Sequence, residues 1–276
     1  MAQSLSNLPI GSLIKFGKYS VNGEPAQSIV WQIAAKGHQC EPAYPSNSIT
    51  LFSKYILDLR AFDAKETHLS TYSTRNVSDY GYNKYGESNI DQWLNSDADA
   101  GAWYKAQHEG DCPPSASAIL NCPSAYDTRP GFLNAFTEEE KNALLDTTIR
   151  CVNGRTAAEA DNSSAPLTYY DIVRKVFLPS LAESGISNYH KEGSAFYGYN
   201  SELRAMPSPQ FLAYSPVSNY VSPSQYGTYW FRTVQTTNNY EVAYKTNLTV
   251  NSNNHLKAAD GSAGVRPVIN LPISIV

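Results

Sequence analysis

The chain lacks the features that would assign it quickly. No apolar run approaches the ~18 residues a membrane-spanning helix requires. The N-terminus, Met1 to Ile10, has no basic stretch followed by an apolar one, so it does not read as a secretory signal. Charge is scarce, at 17% of the residues, and its balance is slightly acidic (net −4), which leaves no electrostatic footprint for nucleic acid. There are only four cysteines, Cys40, Cys112, Cys122 and Cys151, with no CxxC pair and none after Cys151. A zinc site therefore has little support, His38 with Cys40 being an isolated HxC. Cys112 and Cys122 could bridge only in an oxidising setting, and free thiols are expected. Nucleophile elbow, HExxH, phosphate-binding loop and dinucleotide fingerprint are all missing. The five histidines stand in polar contexts without an evident Ser or Cys partner. These absences argue against an enzyme.

What is present is tyrosine, 20 of them in 276 residues, accompanied by many Asn and Ser. Tyrosine offers a large contact area, little rotamer entropy and a polar tip, which suits recognition surfaces as well as half-buried strand positions. Alternation over Ser12–Tyr19 reads as a strand, Asn22-Gly23 as a turn, and Ser28–Ala34 as the partner strand. Thr50–Arg60 reads as a third strand. Helical spacing follows over Asn89–Asn95, with Ser88 or Asn89 as N-cap. Thr137 and Glu140 form a capping box ahead of Ala143-Leu144-Leu145, which assigns Glu138 to Glu140 to a helix N-terminus and not to catalysis. Asp171–Leu178 reads as a strand ending at Pro179, and Ser180–Gly185 as one helical turn closed by glycine. From Gly185 to Tyr229 the texture of Gly, Ser, Pro, Asn and Tyr predicts long ordered loops. Without repeats or linkers, the expectation is one domain over 1–276. It has strands in 1–60, a helical part in 88–150 and a loop-rich presenting part in 185–276. Similar first and last strands are expected to pair.

A motif series runs through nearly the whole chain. It comprises Ile29-Val-Trp-Gln-Ile-Ala34, Leu57-Asp-Leu-Arg-Ala-Phe-Asp63, Tyr85 to Ser96, Trp103-Tyr104, Gly131 to Phe136, Lys175 to Ser180, Tyr229-Trp-Phe-Arg232 and Gly264-Val-Arg-Pro-Val-Ile-Asn-Leu271. The series resembles an uncharacterised domain family of Gram-positive bacteria and their prophages. Its closing pattern also resembles the C-type-lectin-like group, which includes formylglycine-generating enzymes and the variable proteins of diversity-generating retroelements. The resemblance implies an α+β, C-type-lectin-like domain that presents a C-terminal binding segment. It further implies a phage or prophage tail-associated adhesin that binds a bacterial surface glycan or protein and other virion proteins. Such a protein is made in the host cytoplasm, is virion-borne or extracellular after lysis, and is sometimes trimeric. Missing C-terminal cysteines speak against the oxidase activity of that group. Two other classes stay open. One is a structural virion subunit, favoured by an exposed apolar patch within Ser187–Tyr229. The other is a lectin-fold enzyme, which would need a pocket with convergent carboxylates.

The candidate ligand-binding residues are Tyr226, Asn238, Asn239, Tyr240, Tyr244, Asn247, Asn251, Asn253 and Asn254. Asn and Tyr together supply donors, acceptors and stacking faces. Trp93 and Trp230 are expected in the core. Arg232 and Arg266, each in an apolar strand, are expected to find buried partners such as Asp58 or Asp63. No cofactor or metal is expected. Asp91, Asn95, Asp97 and Asp99 offer oxygen ligands for Ca²⁺, but without EF-hand spacing.

Overall fold

The computed structural model describes residues 5–66, 77–154, 166–186, 191–196, 203–245 and 253–274. The strands are β1 (Leu13–Tyr19), β2 (Gln27–Lys36), β3 (Ser48–Ser53), β4 (Asp58–Leu59), β5 (Thr147–Val152), β6 (Tyr169–Arg174), β7 (Val176–Phe177), β8 (Tyr229–Val234), β9 (Glu241–Lys245), β10 (Asn253–Lys257), β11 (Gly264–Val265) and β12 (Val268–Pro272). Among the described residues four short helices accompany them: α1 (Val77–Tyr80), α2 (Asn89–Leu94), α3 (Glu138–Ala143) and α4 (Pro209–Tyr214).

One antiparallel sheet has the order β1-β2-β3-β12-β7, a second has the order β10-β9-β8-β11-β4, and β5 and β6 form a separate hairpin. In the second sheet β11 runs parallel to β8, while its other pairings are antiparallel. Every residue of β3 and of β8 is buried. Strands covered on both faces lose the alternation of a half-solvated sheet, which is why both read as apolar runs. Trp31, Phe52, Phe177 and Trp230 lie in the main core, and a smaller core gathers Leu59, Cys122, Phe211 and Val217.

These observations correct the expected α+β, C-type-lectin-like architecture. Strand outweighs helix, 29% against 15%, and no helix among the described residues exceeds six residues. The expected helical part, 88–150, holds only α2, α3 and one 3₁₀ turn at Phe132–Ala135. Turns closed by side-chain-to-backbone bonds take up much of the rest. Asp63, for example, accepts from the amides of Tyr82 (2.9 Å) and Asn89 (3.0 Å), and Asn134 donates to the carbonyl of Asp97 (3.0 Å).

The expected single strand Thr50–Arg60 is two strands in two sheets, and the Gly264–Leu271 run is divided likewise between β11 and β12. The two crossovers lie side by side. Ser53 N donates to Pro267 O (2.9 Å), and Leu57 N donates to Val265 O (3.0 Å). Arg266 sits at the crossing, donating from Nε to Ser53 O (2.6 Å) with its guanidinium 3.9 Å from the centre of the Phe52 ring. Asp171–Leu178 is also split, at Lys175, between the β5–β6 hairpin and β7. The first and last strands share a sheet but do not pair. β12 lies between β3 and β7, and β1 is an edge.

Both edges of the first sheet are occupied by side chains. On β1 a register shift falls between Lys15 and Lys18. There Gly17, at φ 63°, donates its amide to Glu140 Oε1 (3.2 Å). Glu140 Oε2 meanwhile accepts from Thr137 N (2.9 Å), completing the capping box of α3. On β7, Asn95 Oδ1 accepts from the amides of Lys175 (3.2 Å) and Val176 (3.1 Å), and its Nδ2 donates to Val176 O (2.9 Å). The Asn95 side chain thus takes the place of a neighbouring strand.

Candidate functional site

The described residues of the expected Tyr/Asn face differ in their surroundings. Asn238 builds the β8–β9 turn, accepting at Oδ1 from Tyr240 N (3.1 Å) and Glu241 N (2.8 Å) and donating from Nδ2 to Glu241 Oε2 (2.8 Å). Asn239 is buried, its carbonyl accepting from Asn83 N (3.0 Å), so it faces the protein and not a ligand. Tyr240 is half-buried, with its ring 5.1 Å from that of Tyr80. Tyr244 is half-buried opposite Asn254, which is exposed and accepts from its neighbour His255 N. Asn253 opens β10, and Asn247 and Asn251 lie outside the described residues. Tyr226 is exposed, with the Arg204 guanidinium 4.4 Å from its ring centre. Of these residues Asn238 is committed to the turn and Asn239 is buried, while Tyr226 and Asn254 are exposed.

Trp93 and Trp230 are buried, their indole N–H groups donating to Pro130 O (3.0 Å) and Arg60 O (2.7 Å). The partners expected for the arginines differ from those found. Asp58 pairs with Arg60 (2.8 Å), and Asp63 caps backbone amides as described. Arg232, on β8, instead grips Glu183 with two parallel bonds (2.6 and 2.7 Å), both side chains being fully buried. Its remaining donors go to the carbonyls of Arg150 (3.1 Å), Leu178 (2.9 Å) and Glu192 (3.1 Å). A guanidinium taken out of water needs this full set of acceptors, because an unmatched buried charge is far more costly than a paired one.

Glu183 comes from the turn Ser180–Gly185, where Ser180 N donates to its Oε2 (3.0 Å), and Tyr44 O–H donates to its Oε1. A second buried carboxylate, Glu192, accepts from Val152 N (3.0 Å) and from Thr233 Oγ1 (2.6 Å). Burial pushes Glu192 up to about 7, with the charge of Arg232 and the two hydrogen bonds opposing. For Arg232, burial works against the charge, but Glu183 outweighs it and holds the guanidinium protonated.

Above this network lies an open cleft of about 770 Å³. The loop after β2 contributes Cys40 and Glu41, β5 contributes Arg150, and Ile186, Lys191 and Ser194 line the rest. Gly193, at φ 102°, separates cleft from network, and a Cβ there would stand 3.1 Å from Glu183 Oε1, so only glycine lets the backbone pass this close. His38 is buried beside the cleft with Nε2 3.1 Å from Ser194 O, and burial lowers its pKa, keeping it neutral. Arg150 is held by Asp171 (2.8 and 3.0 Å). The Cys40 thiol is pushed up to about 12, first by burial and then by the charge of Glu183, so at neutral pH it stays protonated and weakly nucleophilic. All four cysteines are free.

The oxygen set considered for Ca²⁺ is spent on the protein. Arg174 pairs with Asp91 (2.6 Å), Lys141 with Asp97 (2.9 Å), Asn134 donates to Asp99 (3.2 Å), and Asn95 serves the β7 edge. Among the described residues no group of three or more His, Cys, Asp or Glu is placed to hold a metal ion, and no helix is long and apolar enough to cross a membrane.

Arg232 was visible as a buried cation, but Glu183 and Glu192 were not. They lie in turns that no periodicity marks, and the one local signal was the glycine pair Gly185 and Gly193 around them. No curated protein and no solved structure matches the chain. A family profile described as a domain of unknown function, DUF6273, matches residues 46–273, which include Glu183, Glu192 and Arg232 but not β1 and β2. With most of its length inside that match, the chain belongs to the DUF6273 family.

Proposed function

We propose that this chain is a binding protein and not an enzyme, and that it seats its ligand in the cleft over Gly193. The observation that carries this reading is the division of labour at that site. The strongly polar groups beneath the cleft are bonded to one another. The cleft itself is open and lined by the polar side chains of Gln39, Glu41, Arg150, Lys191 and Ser194 interspersed with small and apolar residues. A floor locked in this way pre-organises a surface without reacting with what lands on it. The motif resemblance supplies the biological setting, a tail-associated receptor-binding subunit of a Gram-positive phage or prophage whose ligand is a bacterial surface glycan or protein.

A structural virion subunit would present a dry apolar patch in 187–229. The large hydrophobic side chains exposed among the described residues there are Tyr214, Tyr220 and Tyr226, each carrying a hydroxyl, which favours a polar ligand. The test is binding of fluorescently labelled protein to intact Gram-positive cells, with Ser194→Trp filling the cleft from an exposed position. Saturable binding by the parent that is lost in the equally stable variant supports the reading. Binding unchanged in the variant overturns the choice of cleft, and absence of binding across a broad panel of cells overturns the adhesin role.

A further inference from the structure

Between Arg204 and Arg232 the chain carries no Asp, Glu, Lys, Arg or His. This uncharged segment is nonetheless folded. Ser208 caps α4, accepting at Oγ from Phe211 N (3.0 Å), with Pro209 in the first turn. A 3₁₀ turn, Ser218–Tyr220, follows directly, tied back by Ser218 N donating to Ser215 O (3.1 Å) and Tyr220 N donating to Val217 O (3.1 Å). The segment's larger aliphatic and phenyl side chains pack inward or on the margin of the core. Phe211 and Val217 join Leu59 and Cys122 in the smaller core, and Leu212 and Val221 pack on its margin.

What remains outside is tyrosine. Tyr214 is 40% exposed, Tyr220 50% and Tyr226 38%, and together they are half of the six large hydrophobic side chains exposed among the described residues. Exposed large side chains are thus concentrated where charge is missing. Asn219 and Gln225 are exposed between them, and the Ser222 and Ser224 hydroxyls lie 3.3 Å apart.

We infer that this lobe is a second binding surface, and that its ligand is a neutral saccharide. A pyranose ring presents a C–H face that packs on an aromatic ring and a rim of hydroxyls that need neutral donors and acceptors. Tyrosine, serine, asparagine and glutamine supply both, with no charge to desolvate. A phosphate- or uronate-bearing polymer would seek several cations, and the segment itself supplies none, Arg204 at its border lying over the Tyr226 ring. A protein partner would seek a desolvated apolar centre, and here the Phe, Leu and Val side chains face inward. The inference rests on the reading of the chain as a binding protein but uses a surface separate from the cleft.

The test uses the full chain on immobilised neutral oligosaccharides terminating in glucose, galactose, rhamnose or N-acetylglucosamine, beside sialylated and phosphorylated counterparts. Binding should favour a neutral class and hold from about 0.05 to 0.5 M NaCl, since no ion pair is there to screen. Tyr214→Ser and Tyr220→Ser should each weaken it by about tenfold, the equivalent of ~1.4 kcal/mol. Tyr220→Phe should retain most of the affinity, and Ser194→Trp should leave it unchanged. Preference for charged glycans, collapse of binding with salt, or no glycan binding at all would overturn the inference. So would dissociation of an oligomer by Tyr220→Ser in sedimentation, which would make the face a contact between copies. Cell binding lost in Ser194→Trp but kept in both serine variants would overturn the lobe while leaving the cleft in place. The reverse pattern would overturn the cleft and keep the lobe.

Discussion

The floor of the cleft and the lobe after Arg204 use polarity in opposite ways. The floor concentrates Arg232, Glu183 and Glu192 inside the protein and satisfies them with one another and with backbone groups. The lobe has no charged residue from Ala205 to Phe231 and turns its hydroxyl-bearing rings to solvent. The difference teaches that buried charge fixes the scaffold beneath the cleft, whereas in the lobe neutral groups meet the outside. A chain with only 17% charged residues places several of them where no ligand can touch them.

Breaking the floor should have the largest effect. Arg232→Ala leaves the Glu183 carboxylate buried without its partner, and the expected loss is about 3–5 kcal/mol, read as a large drop in Tm or failure to fold. Acidity probes the same place more finely. The folded-state pKa of Glu192 is raised from 4.5 to about 7, so the folded protein holds a proton that the unfolded chain releases. Stability contributed by this group is present below pH 4.5 and is lost as pH rises to 7, on the order of 3 kcal/mol in all. Glu192→Gln should flatten that slope in denaturation curves taken between pH 5 and 7. His108, raised by its bond to Glu66 against the pull of burial, adds a loss in the same direction as pH rises above 6.5. His38, lowered by burial, acts oppositely, costing stability as pH falls below 6.5.

Next comes Gly193→Ala, which forces a Cβ into φ 102° and against Glu183. About 1–2 kcal/mol should be lost, measured by urea denaturation. The smallest effect belongs to the lobe. Tyr220→Ser should change stability by no more than about 0.5 kcal/mol, because an exposed ring outside the small core supports little. A large loss there would erase the contrast between the two regions.

The strands and caps were legible in the sequence because their determinants are local. Alternation over Leu13–Tyr19, the left-handed pair Asn22-Gly23 (φ 55° and 79°), and Thr137 with Glu140 each act within a few residues. The sheet crossovers were not legible. Thr50–Arg60 has the composition of one buried strand, and only contacts with 264–267 show where it changes sheets. The middle of the chain misled for a related reason. Its apolar residues at helical spacing are real in α2, but the turns around them are held by distant side chains such as Asp63 and Asn134, which leave no periodic trace. Within the Tyr/Asn run, Asn238 wires a turn with the same groups it would offer a ligand, a distinction the sequence alone does not carry. Glu183 lies 49 positions from Arg232, and no pattern along the chain pairs them.

The two side chains that close the first sheet bear on how copies of this protein behave when crowded. An unpaired strand edge is a template on which an identical chain can add itself, and repeated addition grows a fibre. Glu140 fills the bulged amide of β1, flanked by two exposed lysines, and Asn95 fills the amides of β7. At those positions a neighbour arriving edge-on finds the backbone already taken. Copies of this protein crowded together are thereby hindered from zipping into a continuous sheet at these positions, and each is held as an independent unit.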